Sequence, residues 1–139
     1  MTIQVGERIP SVTVNIIKDG IQAVDTAEAF AGGKNVLFAV PGAFTPTCSS
    51  KHLPGFIEHA EDFAAKGYSI TCLSVNDAFV MSAWAKSQGA PESITMMADG
   101  NGDFAKALGL ELDATAFGMG LRAKRFALIS DDGIVTHLF

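Results

Sequence analysis

Apolar residues fall into short continuous runs separated by stretches of helical spacing. The run "VLFAV" (36–40) has strand length and no alternation, as a central strand buried on both faces requires. "YSITCLSV" (68–75) repeats that pattern, "SITMMA" (93–98) gives a third strand, and "VTVNII" (12–17) reads as the first. Between them the period changes. From Pro46, the residues Leu53, Phe56, Ile57, Ala60, Phe63 and Ala64 recur at helix spacing, and Gly67 ends the pattern. "AFVMSAWAKSQG" (78–89) predicts a second helix, with Asn76 and Asp77 as candidate caps and Gly89 as its stop. Shorter helices are expected in "DTAEAFAGGKN", starting near Asp25, and in "GDFAKALGL". "KRFALIS", "DDG" and "IVTHLF" form a hairpin pattern. Strand and helix alternate through the middle of the chain and a hairpin follows. The fold class is therefore α/β, a layered domain with a mixed β-sheet flanked by helices. Without repeats, low-complexity tracts or a linker, residues 1–139 read as a single domain.

Composition narrows the function. The formal net charge is -5 and there is no run of lysine or arginine, so nucleic acid is a poor partner. No stretch approaches the roughly 20 apolar residues that span a bilayer. The opening "MTIQVGERIP" lacks the basic and apolar regions of a signal peptide. The expected location is therefore cytoplasmic, where cysteines stay reduced unless they do redox work. The two cysteines, Cys48 and Cys72, have no C-x-x-C spacing. Neither a zinc ribbon nor a dithiol motif of that type is supported, and no metal or other cofactor is expected.

Cys48 stands in "VPGAFTPTCS" (40–49), at a strand-to-helix corner. In open α/β sheets ligands gather at such corners. With Thr45 as N-cap, Pro46 falls at the first helical position, which suits a residue lacking an N–H. Cys48 is then third, where a capping box places a carboxylate or amide acceptor. Unpaired N–H groups and the helix dipole favour a thiolate there, against an ordinary thiol pKa of about 8.5. The bland reading is a small buried residue. Pro41 and Gly42, which bring backbone close, and the Thr45 hydroxyl tip the balance towards a nucleophile. A phosphatase loop is excluded because Pro54, not arginine, stands six residues on. His52 lies one helical turn beyond Cys48 but has no evident orienting partner, so a protease-like base is disfavoured. His59 and His137 read as surface or edge residues. Cys48, His52 and Cys72 lack the fourth ligand of a metal site.

With Pro41, Thr45 and Cys48 assembled as P-x-x-x-T-x-x-C, the chain resembles the peroxiredoxins of the type II (peroxiredoxin 5) subfamily. "VPGAFTPTCSSKHLPGF", "SVNDAFVMSAW", "DGNGDFAKALGLELD" and "FGMGLRAKRFALISDDGIV" carry the resemblance, which covers about residues 3 to 138. It implies a thioredoxin-like fold and reduction of hydrogen peroxide and alkyl hydroperoxides by a cysteine that becomes a sulfenic acid. By position it implies that Cys48 is the peroxidatic cysteine. Thr45 would hydrogen-bond the sulfur and the peroxide oxygen, and Pro41 would shield the sulfenic acid. Arg122 would pair with thiolate and peroxide. Arg125 is the other arginine in reach, expected to support Arg122 or to serve structure.

A sulfenic acid needs a thiol to return. Cys72, on a predicted buried strand, is either a core residue or the resolving thiol. It reaches Cys48 only if the corner unwinds, which the helix-disrupting Pro54 favours. The alternative reductants are glutathione with glutaredoxin, or thioredoxin. Phe44, Phe79 and Phe117, if not core, match positions that line a homodimer contact in the subfamily. Subfamily members continue past this chain's end with more strand and a helix, so apolar surface is expected to be uncovered there. Against the same family the N-terminal hairpin "NIIKDGIQAV" is short. Two other functions stay open: a peroxide-sensing redox relay, and a thiol–disulfide oxidoreductase, against which the missing C-x-x-C argues.

Overall fold

The computed structural model describes residues 2–17, 20–45, 53–91 and 93–139, with Leu53 and Pro54 as backbone only. The elements, in chain order, begin with β1 (Thr13–Ile17), β2 (Ile21–Asp25), α1 (Thr26–Ala29) and β3 (Lys34–Val40). Next come α2 (Leu53–Glu58), α3 (Ala60–Ala65), β4 (Tyr68–Ser74), α4 (Ala78–Gln88) and β5 (Ile94–Ala98). The chain closes with α5 (Asp103–Leu108), β6 (Glu111–Asp113), β7 (Leu121–Ala123), β8 (Phe126–Asp131) and β9 (Ile134–Leu138).

The main sheet has seven strands in the order β2-β1-β5-β4-β3-β8-β9. β3, β4 and β5 run parallel; β1 and β8 flank them antiparallel. The expected central mixed sheet flanked by helices is present. β3 is buried from Asn35 to Val40, as its unbroken apolar run requires of a strand covered on both faces. On one face Leu37, Ala39, Leu73, Met97 and Leu128 pack with Phe30, Phe104 and Leu108 from around α1 and α5. On the other, Phe38, Val40, Cys72 and Met96 pack with Ala60 of α3 and Met81 and Trp84 of α4. Phe56 of α2 stacks on Phe38 with ring centroids 3.9 Å apart and planes 1° from parallel.

Local chemistry accounts for the boundaries. The Asp25 carboxylate caps α1 through the Ala27 and Glu28 N–H groups. It also receives the Ser11 hydroxyl, and these bonds hold its pKa below the usual carboxylate value. Of the two candidate caps for α4, Asp77 takes the role by accepting from Val80 N–H, and Gly89 ends the helix at φ 67°. The Asp99 carboxylate accepts from the Phe104 and Ala105 N–H groups and so fixes the start of α5. Burial pushes its carboxyl upward despite those bonds. The final hairpin turns through Asp132 and Gly133, both at positive φ, which suits the right-handed twist of the paired strands.

Two departures from the sequence pattern matter here. The helix expected from Pro46 is described only from Leu53, and His59 separates α2 from α3. The ladder continues across it, with His59 N–H on Gly55 O and Phe63 N–H on His59 O. The second departure is a small antiparallel sheet of β6 and β7, in which Arg122 pairs with Leu112.

Candidate active site

The corner is built at the C-terminal end of β3. Gly42 and Ala43 are buried, Pro41 and Thr45 are half-buried, and Phe44 is exposed. Phe44 holds φ 63°, a left-handed conformation that costs a bulky residue about 1–3 kcal/mol. Neighbouring bonds hold the turn in that shape. The Thr45 hydroxyl donates to Gly42 O at 2.7 Å, and Ala43 N–H donates to Asn76 Oδ1 at 3.0 Å.

Arg122 reaches the same corner from β7. Its Nε donates to Met119 O at 3.0 Å and its Nη1 to Val75 O at 3.3 Å. A Cβ placed on Gly42 would lie 3.1 Å from Arg122 Nη1, 3.1 Å from Thr45 Cγ2 and 3.6 Å from the Met119 methyl. Glycine here lets a guanidinium and a threonine pack directly against backbone. The arrangement puts a fixed positive charge and a hydroxyl oxygen at one strand end.

The structure thus brings Pro41, Thr45 and Arg122 together. The Thr45 hydroxyl donates to Gly42 O, which leaves the lone pairs of its oxygen available as an acceptor. Cys48, Pro46 and His52 lie outside the described residues. Arg125 is exposed beside Phe126, which pairs with Ala39, so it stands at the same sheet end as Pro41. Cys72 is fully buried in mid-β4, opposite Phe38 on one side and Met96 on the other. His59 and His137 are exposed, the former 3.3 Å from Asp62. Phe44, Phe79 and Phe117 are 53%, 77% and 83% exposed, so none is core. Among the described residues there is no cluster of three metal-ligating side chains.

The sequence reading missed Asn76 as a corner residue and Met119 as a wall. Both could have been suspected. Asn76 is a polar residue directly after a buried strand, and Met119 sits between two glycines in the loop that carries Arg122.

The Redoxin family profile matches residues 4–139. The chain is 51% identical over 144 residues to peroxiredoxin-2E-2, chloroplastic, of Oryza sativa subsp. japonica, covering 99% of this chain. It spans 64% of that relative's length. Peroxiredoxin-2B of Arabidopsis thaliana is 48% identical, with 96% of this chain and 85% of the relative covered. This chain belongs to the peroxiredoxins. The fold agrees: the reduced Prx3 of Vibrio vulnificus in complex with hydrogen peroxide superposes with a TM-score of 0.92. It is 52% identical and the match covers 99% of this chain and 87% of that one. The central mixed sheet with its helices is therefore a thioredoxin-like peroxiredoxin fold.

Proposed function

We propose that this peroxiredoxin is a thiol-dependent peroxidase acting through Cys48. The observation that carries the reading is the meeting of Thr45, three residues before that cysteine, with Arg122 and the Gly42 backbone beyond the strand end. The Cys48 thiolate attacks one oxygen of a hydroperoxide. The S–O bond forms, the O–O bond breaks, and Cys48 is left as a sulfenic acid. The other oxygen departs as hydroxide or alkoxide and takes a proton to give water or an alcohol. Charge grows on that departing oxygen, where preorganised donors lower the barrier most. Arg122 supplies fixed positive charge, the Thr45 oxygen accepts the peroxide O–H, and Pro41 limits water's access to the product. Arg125 is the second cation at this sheet end. Comparing Arg122→Gln with Arg125→Gln in peroxide rate and thiol titration separates their roles.

Regeneration falls to an external thiol, either glutathione with glutaredoxin or thioredoxin. Cys72 acts as core in this account, because a fully buried mid-strand residue reaches another sulfur only by unfolding its surroundings. The testing experiment follows peroxide consumption with each reductant for wild type and Cys72→Ser. Cys72→Ser is expected to keep turnover with both reductants and to lose about 1–3 kcal/mol of stability from the buried hydroxyl. Loss of the thioredoxin-supported rate alone would instead make Cys72 the resolving thiol.

The exposed Phe44, Phe79 and Phe117 support a homodimer. Phe44 lies in the corner, and Phe79 and Phe117 lie within three residues in sequence of Asn76 and Met119. Large exposed aromatics favour burial against a second copy. Sedimentation at tens of micromolar is expected to show a dimer for wild type and a monomer for Phe79→Arg. A monomeric wild type rejects this assembly.

A further inference from the structure

The three-residue segment that follows β4 meets the corner twice. Its Asn76 Oδ1 accepts from Ala43 N–H at 3.0 Å and from the Ser74 hydroxyl at 2.5 Å. Its Val75 carbonyl accepts Arg122 Nη1 at 3.3 Å. Ser74, Val75 and Ala43 are buried while Asn76 and Arg122 are half-buried, so water competes for these bonds only in part. The Ala43 amide adjoins Phe44, whose left-handed backbone is unfavourable unless its neighbours enforce it. The next residue, Thr45, ties back to Gly42 O. One short segment therefore sets both the turn and the guanidinium that packs on it.

We propose that Asn76 is a positioning residue for peroxide reduction. Its carboxamide oxygen, oriented by Ser74, holds the Ala43 amide and thereby the placement of Thr45 relative to Arg122. Asn76 bonds to Ala43 and Ser74 and acts through the corner. Capping α4 does not explain it, because Asp77 performs that task. The proposal rests on the peroxidase reading above. Its consequence is specific to the reaction geometry. When reacting atoms lose their placement by about 1 Å, the rate can fall on the order of 100-fold.

The test is a single-turnover reaction of the reduced protein with hydrogen peroxide across pH. Iodoacetamide alkylation of Cys48, read by peptide mass, is measured in parallel. Alkylation needs a thiolate but not the peroxide geometry. Asn76→Ala is expected to lose at least about tenfold in the peroxide rate constant. Its alkylation at a matched thiolate fraction should stay within about threefold of wild type, and its circular dichroism should stay native. Asn76→Asp keeps an acceptor oxygen on the Ala43 amide, and its peroxide rate is expected to recover most of the loss at alkaline pH. A peroxide rate for Asn76→Ala equal to wild type overturns the proposal. So does a parallel fall in both reactions, which would mean that folding or access to the thiolate, and not the peroxide geometry, had changed. A wild type that reacts with peroxide no faster than a free thiol removes the peroxidase reading and this role with it. That outcome is distinct because the unmodified protein itself fails.

Discussion

Gly42→Ala is expected to lower kcat/KM for hydrogen peroxide by about 10- to 100-fold while the protein stays folded. The added Cβ would stand 3.1 Å from Arg122 Nη1 and from Thr45 Cγ2. Carbon contacts settle near about 3.5–4.0 Å, so one or both neighbours must retreat. Neither moves freely. Arg122 is tied to the Met119 and Val75 carbonyls, and Thr45 to the carbonyl of Gly42 itself. The strain therefore appears as misplacement of the two groups assigned to the transition state. Overpacking of this size costs about 1–3 kcal/mol in stability, which a folded domain survives. Steady-state kinetics with a thermal melt checks both halves. Unchanged kinetics would show that the spacing of Arg122 and Thr45 does not matter to the reaction.

Why the fold was legible and part of the site was not has a physical basis. β3 and β4 have uninterrupted apolar runs because both of their faces are covered, and such runs survive in one dimension. α4 carries its own start and stop in Asp77 and Gly89, so its bounds came out within a residue. β6 and β7 are three residues each, too short for any period, and they pair only because the chain folds back through residues 114–120. Pro41 and Thr45 stood out from the corner motif, whereas Arg122 was singled out over Arg125 only by the family resemblance. Asn76 stood out only as a candidate cap, because its bond to Ala43 spans 33 positions. The exposure of Phe79 and Phe117 was left open against a core position, since an aromatic residue at a helix start or loop is core or surface only once the layers are assembled. Cys72 was legible as a buried strand residue, and its position between Phe38 and Met96 accords with that reading.

The central claim is that the Cys48 sulfur is the reacting atom of a catalytic peroxidase. Serine nearly keeps the size of the side chain but replaces an ionisable thiol with a hydroxyl that stays protonated and does not form a sulfenic acid. The deciding measurement is hydrogen peroxide consumed per protein molecule, with excess thiol reductant, for wild type and Cys48→Ser. The account predicts continuous consumption by wild type, well beyond one equivalent, and only the protein-free background rate for Cys48→Ser. Full turnover by Cys48→Ser, or a wild type that stops after a single equivalent while reductant remains, would contradict it.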